Sequence, residues 1–211
     1  MTGVEHALDD LRRAGLYREL RVIDSAPGAH VRLDGHDVLL LCSNDYLGLA
    51  DHPAVRAAAG EAAERWGAGA GASRLVSGNL VPHQRLEEAL ADFKETAACL
   101  LFGSGYLANT GVVAALAGRG EVVLSDALNH ASIVDGCRLA GAETVVYPHA
   151  DLDALAAALD GAGGRQATIV TDSVFSMDGD LAPLTGIVEL ARRHGARVIV
   201  DEAHATGVIG P

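Results

Sequence analysis

The sequence is 211 residues long, 49% hydrophobic and only 4% aromatic, which suits one well-buried α/β domain packed from small side chains. A formal net charge of −12 excludes a nucleic-acid surface, which needs a basic face, and obliges any anionic ligand to be met by local donors. Three scattered cysteines (Cys42, Cys99, Cys137) make neither a disulfide framework nor a zinc site, and no apolar run spans a bilayer or heads a signal peptide. The expectation is a soluble, cytoplasmic protein with no metal and no membrane or nucleic-acid partner.

Taken in order, residues 4–20 carry a ragged apolar stripe (Val4, Leu8, Leu11, Leu16, Leu20) and read as a helix. Two short strands follow, His30–Leu33 and Asp37–Cys42, with a hairpin turn at Asp34-Gly35. The polar turn SNDYLGL, Ser43 to Leu49, leads to a helix over Pro53–Trp66. A glycine-rich stretch from Gly67 reaches Arg74 and Asn79. It reads either as a linker or as backbone held close to a ligand or a second subunit.

From residue 81 the pattern alternates regularly. Helices are expected near 82–94, 106–117, 130–139, 151–160 and 184–194. Between them fall strands at Ala97–Phe102, Glu121–Ser125, Glu143–Tyr147, Ala167–Thr171 and Arg197–Val200. Such alternation implies crossover units and a mostly parallel sheet with helices on both faces. Ligands of open α/β sheets sit at the carboxyl ends of the strands.

Four of those ends carry chemistry. The last strand delivers Asp201 and His204 together. The turn Phe102-Gly103-Ser104-Gly105-Tyr106 opens a helix whose free N–H groups suit a phosphate. Asn129-His130-Ala131-Ser132 opens another helix, with His130 either a cap or a functional imidazole. A polar loop from Thr171 to Asp180 includes Ser176.

Gly103-x-Gly105-x-x-Ala108, with Asp126 after the next strand, also fits a dinucleotide fingerprint, so an NAD-dependent dehydrogenase is a standing alternative. An ATPase is excluded, because the one lysine, Lys94, does not lie in a GxxxxGK[ST] loop. One cofactor uses all the pieces. Pyridoxal 5'-phosphate needs an anion site, a carboxylate for its ring nitrogen, a partner for its phenolic oxygen and a flat group against its ring. Ser104, Gly105 and Tyr106 suit the phosphate, Asp201 the nitrogen, His204 and Ser176 the phenolic oxygen, and His130 the stacking.

SNDYLGL, GAGASRLVSGN, FGSGYLAN, NHAS, DSVFSMDGD and VDEAHATGVIG together resemble the α-oxoamine synthase family of pyridoxal-phosphate enzymes. They occur in that family's order over nearly all of residues 8–210. Gly15-Leu16-Tyr17-Arg18 and SNDYLGL are most similar to its biotin-pathway branch, with the 2-amino-3-ketobutyrate ligase branch as the alternative. The resemblance implies an incomplete large domain of the aspartate-aminotransferase type over 50–211, behind an N-terminal helix and hairpin over 1–49. It implies catalytic roles for His130, Asp201 and His204. Arg18 would anchor the distal carboxylate of a pimeloyl thioester near Asn44, where a guanidinium fork pairs with two oxygens.

The implied reaction is a decarboxylative condensation of L-alanine with pimeloyl-CoA or a pimeloyl-carrier protein, performed by a homodimer with active sites at the subunit interface. Asp172 stands where many members carry Glu. The family's cofactor-bonding lysine is expected beyond Pro211, so the chain as given is expected to be a partial enzyme, inactive alone. A non-catalytic fragment or one half of a split enzyme is the remaining alternative.

Overall fold

The structure, a computed structural model, describes residues 3–210. They fall into two compact units divided between Ala68 and Gly69.

The first unit holds α1 (Gly3–Arg13), the antiparallel pair β1 (His30–Leu33) and β2 (His36–Leu39), and α2 (Pro53–Trp66). The helix expected over 4–20 stops at Arg13, because Gly15 turns into the left-handed region at φ 67°. Asp34 and Gly35 both take positive φ (51° and 79°), as the tight hairpin turn requires. Pro53 opens α2, and His52 caps it by accepting from the Ala54 N–H at 3.3 Å.

The second unit contains α3 (Val81–Phe93), α4 (Gly105–Leu116), β3 (Val122–Asp126), α5 (Ala131–Ala140), β4 (Glu143–Tyr147), α6 (Leu152–Gly161), β5 (Ala167–Asp172), α7 (Leu184–His194) and β6 (Arg197–Asp201). Its sheet is parallel throughout, in the order β4-β3-β5-β6. The central strands β3 and β5 are buried along their whole length. Their residues therefore read as continuous apolar runs and alternate between two cores. Val122, Leu124 and Ile169 face Leu155, Leu159 and Ile187 of α6 and α7. Val123 and Val170 face Val113, Ile133 and Cys137 of α4 and α5.

Helices α4 and α5 approach closely because Gly136 has no side chain. A Cβ there would lie 2.9 Å from the Asn109 carbonyl oxygen and 3.0 Å from the Val113 Cβ.

The strand expected at Ala97–Phe102 does not form among the described residues. Its polar backbone is satisfied by side chains instead. The Leu101 N–H donates to Glu87 Oε1 at 2.7 Å, and the Leu101 carbonyl accepts from Arg74 Nη1 at 3.2 Å. Arg74 begins a single π-helical turn, Arg74–Gly78, and pairs with both Glu87 oxygens at 2.7 and 2.9 Å. That fork, helped by the Leu101 N–H, holds the Glu87 carboxyl down at about 2. The turn closes so tightly that a Cβ on Gly78 would lie 1.9 Å from the Ala72 carbonyl oxygen.

Candidate active site

Parallel strands end on one edge of the sheet, and β3, β5 and β6 bring their last residues into register there. Asp172 of β5 lies beside Asp201 of β6, and Ser125 of β3 pairs with Val170. Asn129 ties β3 to β5 just behind this edge. Its Nδ2 donates to Ser125 Oγ (2.9 Å) and the Val170 carbonyl (2.8 Å), and its Oδ1 accepts from the Asp172 N–H (3.0 Å). His130 follows as the N-cap of α5, its backbone N–H donating to Asp172 Oδ2 at 2.8 Å.

A pocket of about 110 Å³ opens at this edge, lined by Gly105, Tyr106, Asn109, His130, Ser132, Asp172, Ser176, Asp201, Ala203 and His204. Six of the residues singled out in the sequence therefore share one cavity: Gly105, Tyr106, His130, Ser176, Asp201 and His204. Ser104 sits just behind the lining as the N-cap of α4, accepting from the Leu107 N–H at 3.2 Å. The first turn of α4 thus points unshared backbone N–H groups and the positive end of the helix dipole at the pocket.

Arg18 and Asn44 belong to the first compact unit, where Arg18 is exposed and the Asn44 side chain accepts from the Tyr46 hydroxyl at 3.4 Å.

The pocket's polar groups form a chain that residue-by-residue reading did not anticipate. Asn109 Nδ2 donates to Asp201 Oδ2 (2.6 Å) and to Ser132 Oγ (2.9 Å). Ser132 Oγ lies 2.7 Å from His130 Nδ1, which also accepts from the Ser132 N–H at 3.2 Å. With that N–H aimed at Nδ1, the imidazole proton belongs on Nε2. The second Asp201 oxygen accepts from the Ala203 N–H at 2.8 Å.

Asp172 is buried, and that desolvation raises its carboxyl above the usual range; the nearby Asp201 charge adds to the rise, against the pull of the His130 N–H. The signal for Asn109 was available in outline, since it is one of few polar residues in an otherwise small and apolar α4.

The dinucleotide alternative fails at Asp126. Rather than facing a ribose, this carboxylate is 3% exposed and accepts from the Leu128 N–H (2.9 Å), the Ala150 N–H (2.9 Å) and His149 Nδ1 (2.9 Å). The glycine turn also lacks the preceding strand which that fingerprint requires.

Residues 36–211 match the family model for aminotransferase class I and II. The chain belongs to that family. Within it, the α-oxoamine synthase resemblance holds. The chain is 58% identical over 204 residues to an 8-amino-7-oxononanoate synthase of Geobacter sulfurreducens, covering 96% of this chain and 52% of that relative. A synthase of the same name from Citrifermentans bemidjiense is 56% identical over 207 residues, covering 97% and 52%.

Among solved structures, a serine palmitoyltransferase from S. paucimobilis with a bound PLP–myriocin aldimine superposes with a TM-score of 0.91 at 37% identity. That match covers 99% of this chain and 53% of the other. An 8-amino-7-oxononanoate synthase from Francisella tularensis gives a TM-score of 0.65 at 28% identity, over 80% and 46%. The chain spans about half the length of the curated relatives it matches.

Lys94 of this aminotransferase-family chain is not among the residues that line this pocket. It caps the end of α3, where its ammonium contacts Glu202 and lies 3.5 Å from Thr206 Oγ1. Among the described residues no helix is long and apolar enough to cross a membrane, and no cluster of His, Cys, Asp and Glu could hold a metal ion.

Proposed function

We propose that the chain carries the cofactor pocket of an α-oxoamine synthase. The protein would condense L-alanine with a pimeloyl thioester, on coenzyme A or a carrier protein, to 8-amino-7-oxononanoate with loss of carbon dioxide. Pyridoxal 5'-phosphate would be its cofactor. The observation that carries this reading is the single pocket shared by Asp201, His130, Ser176, His204 and the first turn of α4. Identities of 56–58% to proteins named for that reaction support the choice of branch.

The donor set fits the cofactor. A carboxylate, a flat imidazole, a hydroxyl and a second imidazole, and a helix N-terminus answer its ring nitrogen, its face, its phenolic oxygen and its phosphate in turn. Bound there, it supplies a sink for the electron pair left on an amino acid's α-carbon.

The chain's own residues make that sink effective. Asp201 would keep a proton on the ring nitrogen, and the Asn109 amide and the Ala203 N–H fix the position of its two oxygens. His130 presents a flat face, and Ser132 pins its Nδ1 so that the ring keeps its orientation. Ser176 and His204 would hydrogen-bond the phenolic oxygen. Gly105 and Tyr106 would hold the phosphate through backbone N–H groups on a helix start already capped by Ser104. The Tyr106 hydroxyl is tied to Asp135, which fixes that side chain against α5.

Arg18 and Asn44 would bind the distal carboxylate of the acyl chain. The protein would work as a homodimer, an arrangement supported by the exposed Leu75, Val76 and Leu100. Lys94 is not the cofactor-bonding lysine in this reading, since Glu202 and Thr206 engage it.

The test uses protein expressed from its complete reading frame, incubated with pyridoxal phosphate, L-alanine and pimeloyl-CoA and followed by mass spectrometry. Formation of 8-amino-7-oxononanoate is expected. Asp201→Asn, which cannot keep the ring nitrogen protonated, should lower the rate at least about 100-fold. Absence of product from the wild type, or an undiminished rate in the variant, would overturn the reading.

A further inference from the structure

Ser176 lines the pocket from the tip of a small hairpin, and the tip itself is exposed. Val174 bridges Leu181 antiparallel, the Phe175 N–H donates to the Asp180 carbonyl (3.0 Å), and the Gly179 N–H donates to the Phe175 carbonyl (2.8 Å). With the Ala182 N–H to the Ser173 carbonyl (3.0 Å), that makes three backbone hydrogen bonds, which are little to hold a four-residue tip still, since an isolated two-stranded hairpin is marginal in water.

The fixing comes from outside the hairpin, at His149. Its Nε2 lies 2.6 Å from Asp180 Oδ2 at the base of one arm. Its ring meets Phe175, on the other arm, edge-on at 4.4 Å between centroids. Its Nδ1 lies 2.9 Å from Asp126 Oδ1. Asp126 is the anchor of the set, a buried carboxylate at the end of β3 that also receives the Leu128 and Ala150 N–H groups. Carboxylates only accept, so the imidazole meets both by donating from both nitrogens as an imidazolium. The backbone bends to place it, with Ala150 in the left-handed region at φ 54°.

We propose that His149, bridging Asp126 and Asp180, is a positioning residue that fixes the 174–181 hairpin and so sets the Ser176 hydroxyl at the edge of the pocket. None of the three is among the residues that line the pocket, and the hairpin is what joins His149 and Asp180 to Ser176. What Ser176 then holds rests on the reading given under Proposed function; the hairpin's dependence on His149 does not.

The experiment uses His149→Phe, which keeps a ring against Phe175 and removes both hydrogen bonds, in protein from the complete reading frame. Amide hydrogen exchange in the cofactor-free state is the first readout. Exchange at Phe175 and Gly179 should rise about tenfold or more, while Ile169 and Val170 in β5 stay protected. The second readout is pyridoxal-phosphate affinity by absorbance titration. H149F and Ser176→Ala should each weaken it about tenfold, and the double variant should be no weaker than either single one.

Unchanged exchange at Phe175 and Gly179, or a parallel rise through β5, would overturn the proposal. So would losses of affinity that multiply in the double variant. If wild type and S176A bind the cofactor equally or not at all, the functional reading of Ser176 fails, and the exchange data still decide the role of His149. Should H149F fold poorly, His149→Gln, which retains a donor toward Asp180, gives the same comparison with a smaller rise in exchange; equal exchange in H149Q and wild type would then refute the proposal.

Discussion

Asp126 and Asp201 both end parallel strands of one sheet, and their surroundings give them opposite uses. Asp126 is sealed from solvent and fully occupied by Leu128, Ala150 and His149. Asp201 is held by one side-chain amide and one backbone N–H and still lines the pocket. The sequence distinguishes them poorly, because occupation of Asp126 depends on a histidine 23 residues downstream. Asp201 and His130 could be read from their places at strand ends, whereas Asn109 needs the α4–α5 packing that brings it to both Asp201 and Ser132.

The charge of His149 makes the hairpin sensitive to pH. Hydrogen bonds to Asp126 and then Asp180 raise its pKa above the ordinary 6.5, and both charged neighbours belong to the elements packed on it, the end of β3 and the hairpin; Phe175 adds no charge. A raised value means the stabilisation is full below about 6.5 and is lost as the pH climbs through the folded value. Protection of the Gly179 amide, corrected for intrinsic base catalysis, should therefore decline in wild type as the pH rises past the ordinary histidine value and through the raised one. In H149F it should be low and independent of pH; equal profiles in the two proteins would remove the imidazolium from the account.

At the level of elements, the contact between α4 and α5 is where fold and site meet. Gly136 in α5 lies against the backbone of α4 at Asn109 and Thr110, the turn that aims the Asn109 amide at Asp201. Gly136→Ala gains helix propensity of at most about 1 kcal/mol. It also forces a methyl group to within 2.9 Å of a carbonyl oxygen that cannot rotate away. We expect a net loss of about 1–3 kcal/mol by denaturant unfolding, with weakened cofactor binding as α4 shifts.

Gly186→Ala in α7 is the matched comparison. There the crowding atom is the Leu152 Cδ1, the far end of a flexible side chain, so the change should be close to neutral. If the two variants unfold at the same denaturant concentration, backbone proximity at Gly136 is not what limits that interface.

Elements differed in how readily they could be read. The buried strands β3 and β5 announce themselves as apolar runs, and α2 by its proline and glycine punctuation. Residues 97–102 carry a strand-like composition without strand pairing, because Arg74 and Glu87 take the backbone groups a neighbouring strand would use. Propensity describes the chain's side of a ladder and says nothing about whether a partner stands beside it.

For the whole molecule, the balance between charge and exposed apolar surface bears on assembly. A net charge of −12 opposes self-association at long range, so contact between copies must come from a local apolar surface strong enough to prevail. The second unit has one around the π-turn. Leu75 is fully exposed, Val76 is 81% and Leu100 68% exposed, and Leu75 and Leu100 line one concavity of about 380 Å³ with Arg74 and Asn79. The turn displays these side chains while its own polar groups are satisfied inward, since Arg74 is spent on Glu87, Asn79 and Leu101. A rigid apolar projection beside a neutralised arginine has the character of an interface core.

This is the surface from which the proposed homodimer would draw its contact, and Leu75→Glu tests it. A glutamate buried at the centre of an apolar interface would lack a partner and cost several kcal/mol, raising the dimer dissociation constant at least about 100-fold. Outside an interface the same substitution is a solvated surface change worth about 0.5 kcal/mol or less. Sedimentation velocity at micromolar concentration should show a dimer for wild type and mostly monomer for L75E, with unchanged unfolding of the monomer. A monomeric wild type would overturn the homodimer, and a dimer indifferent to the glutamate would place the contact elsewhere on the molecule.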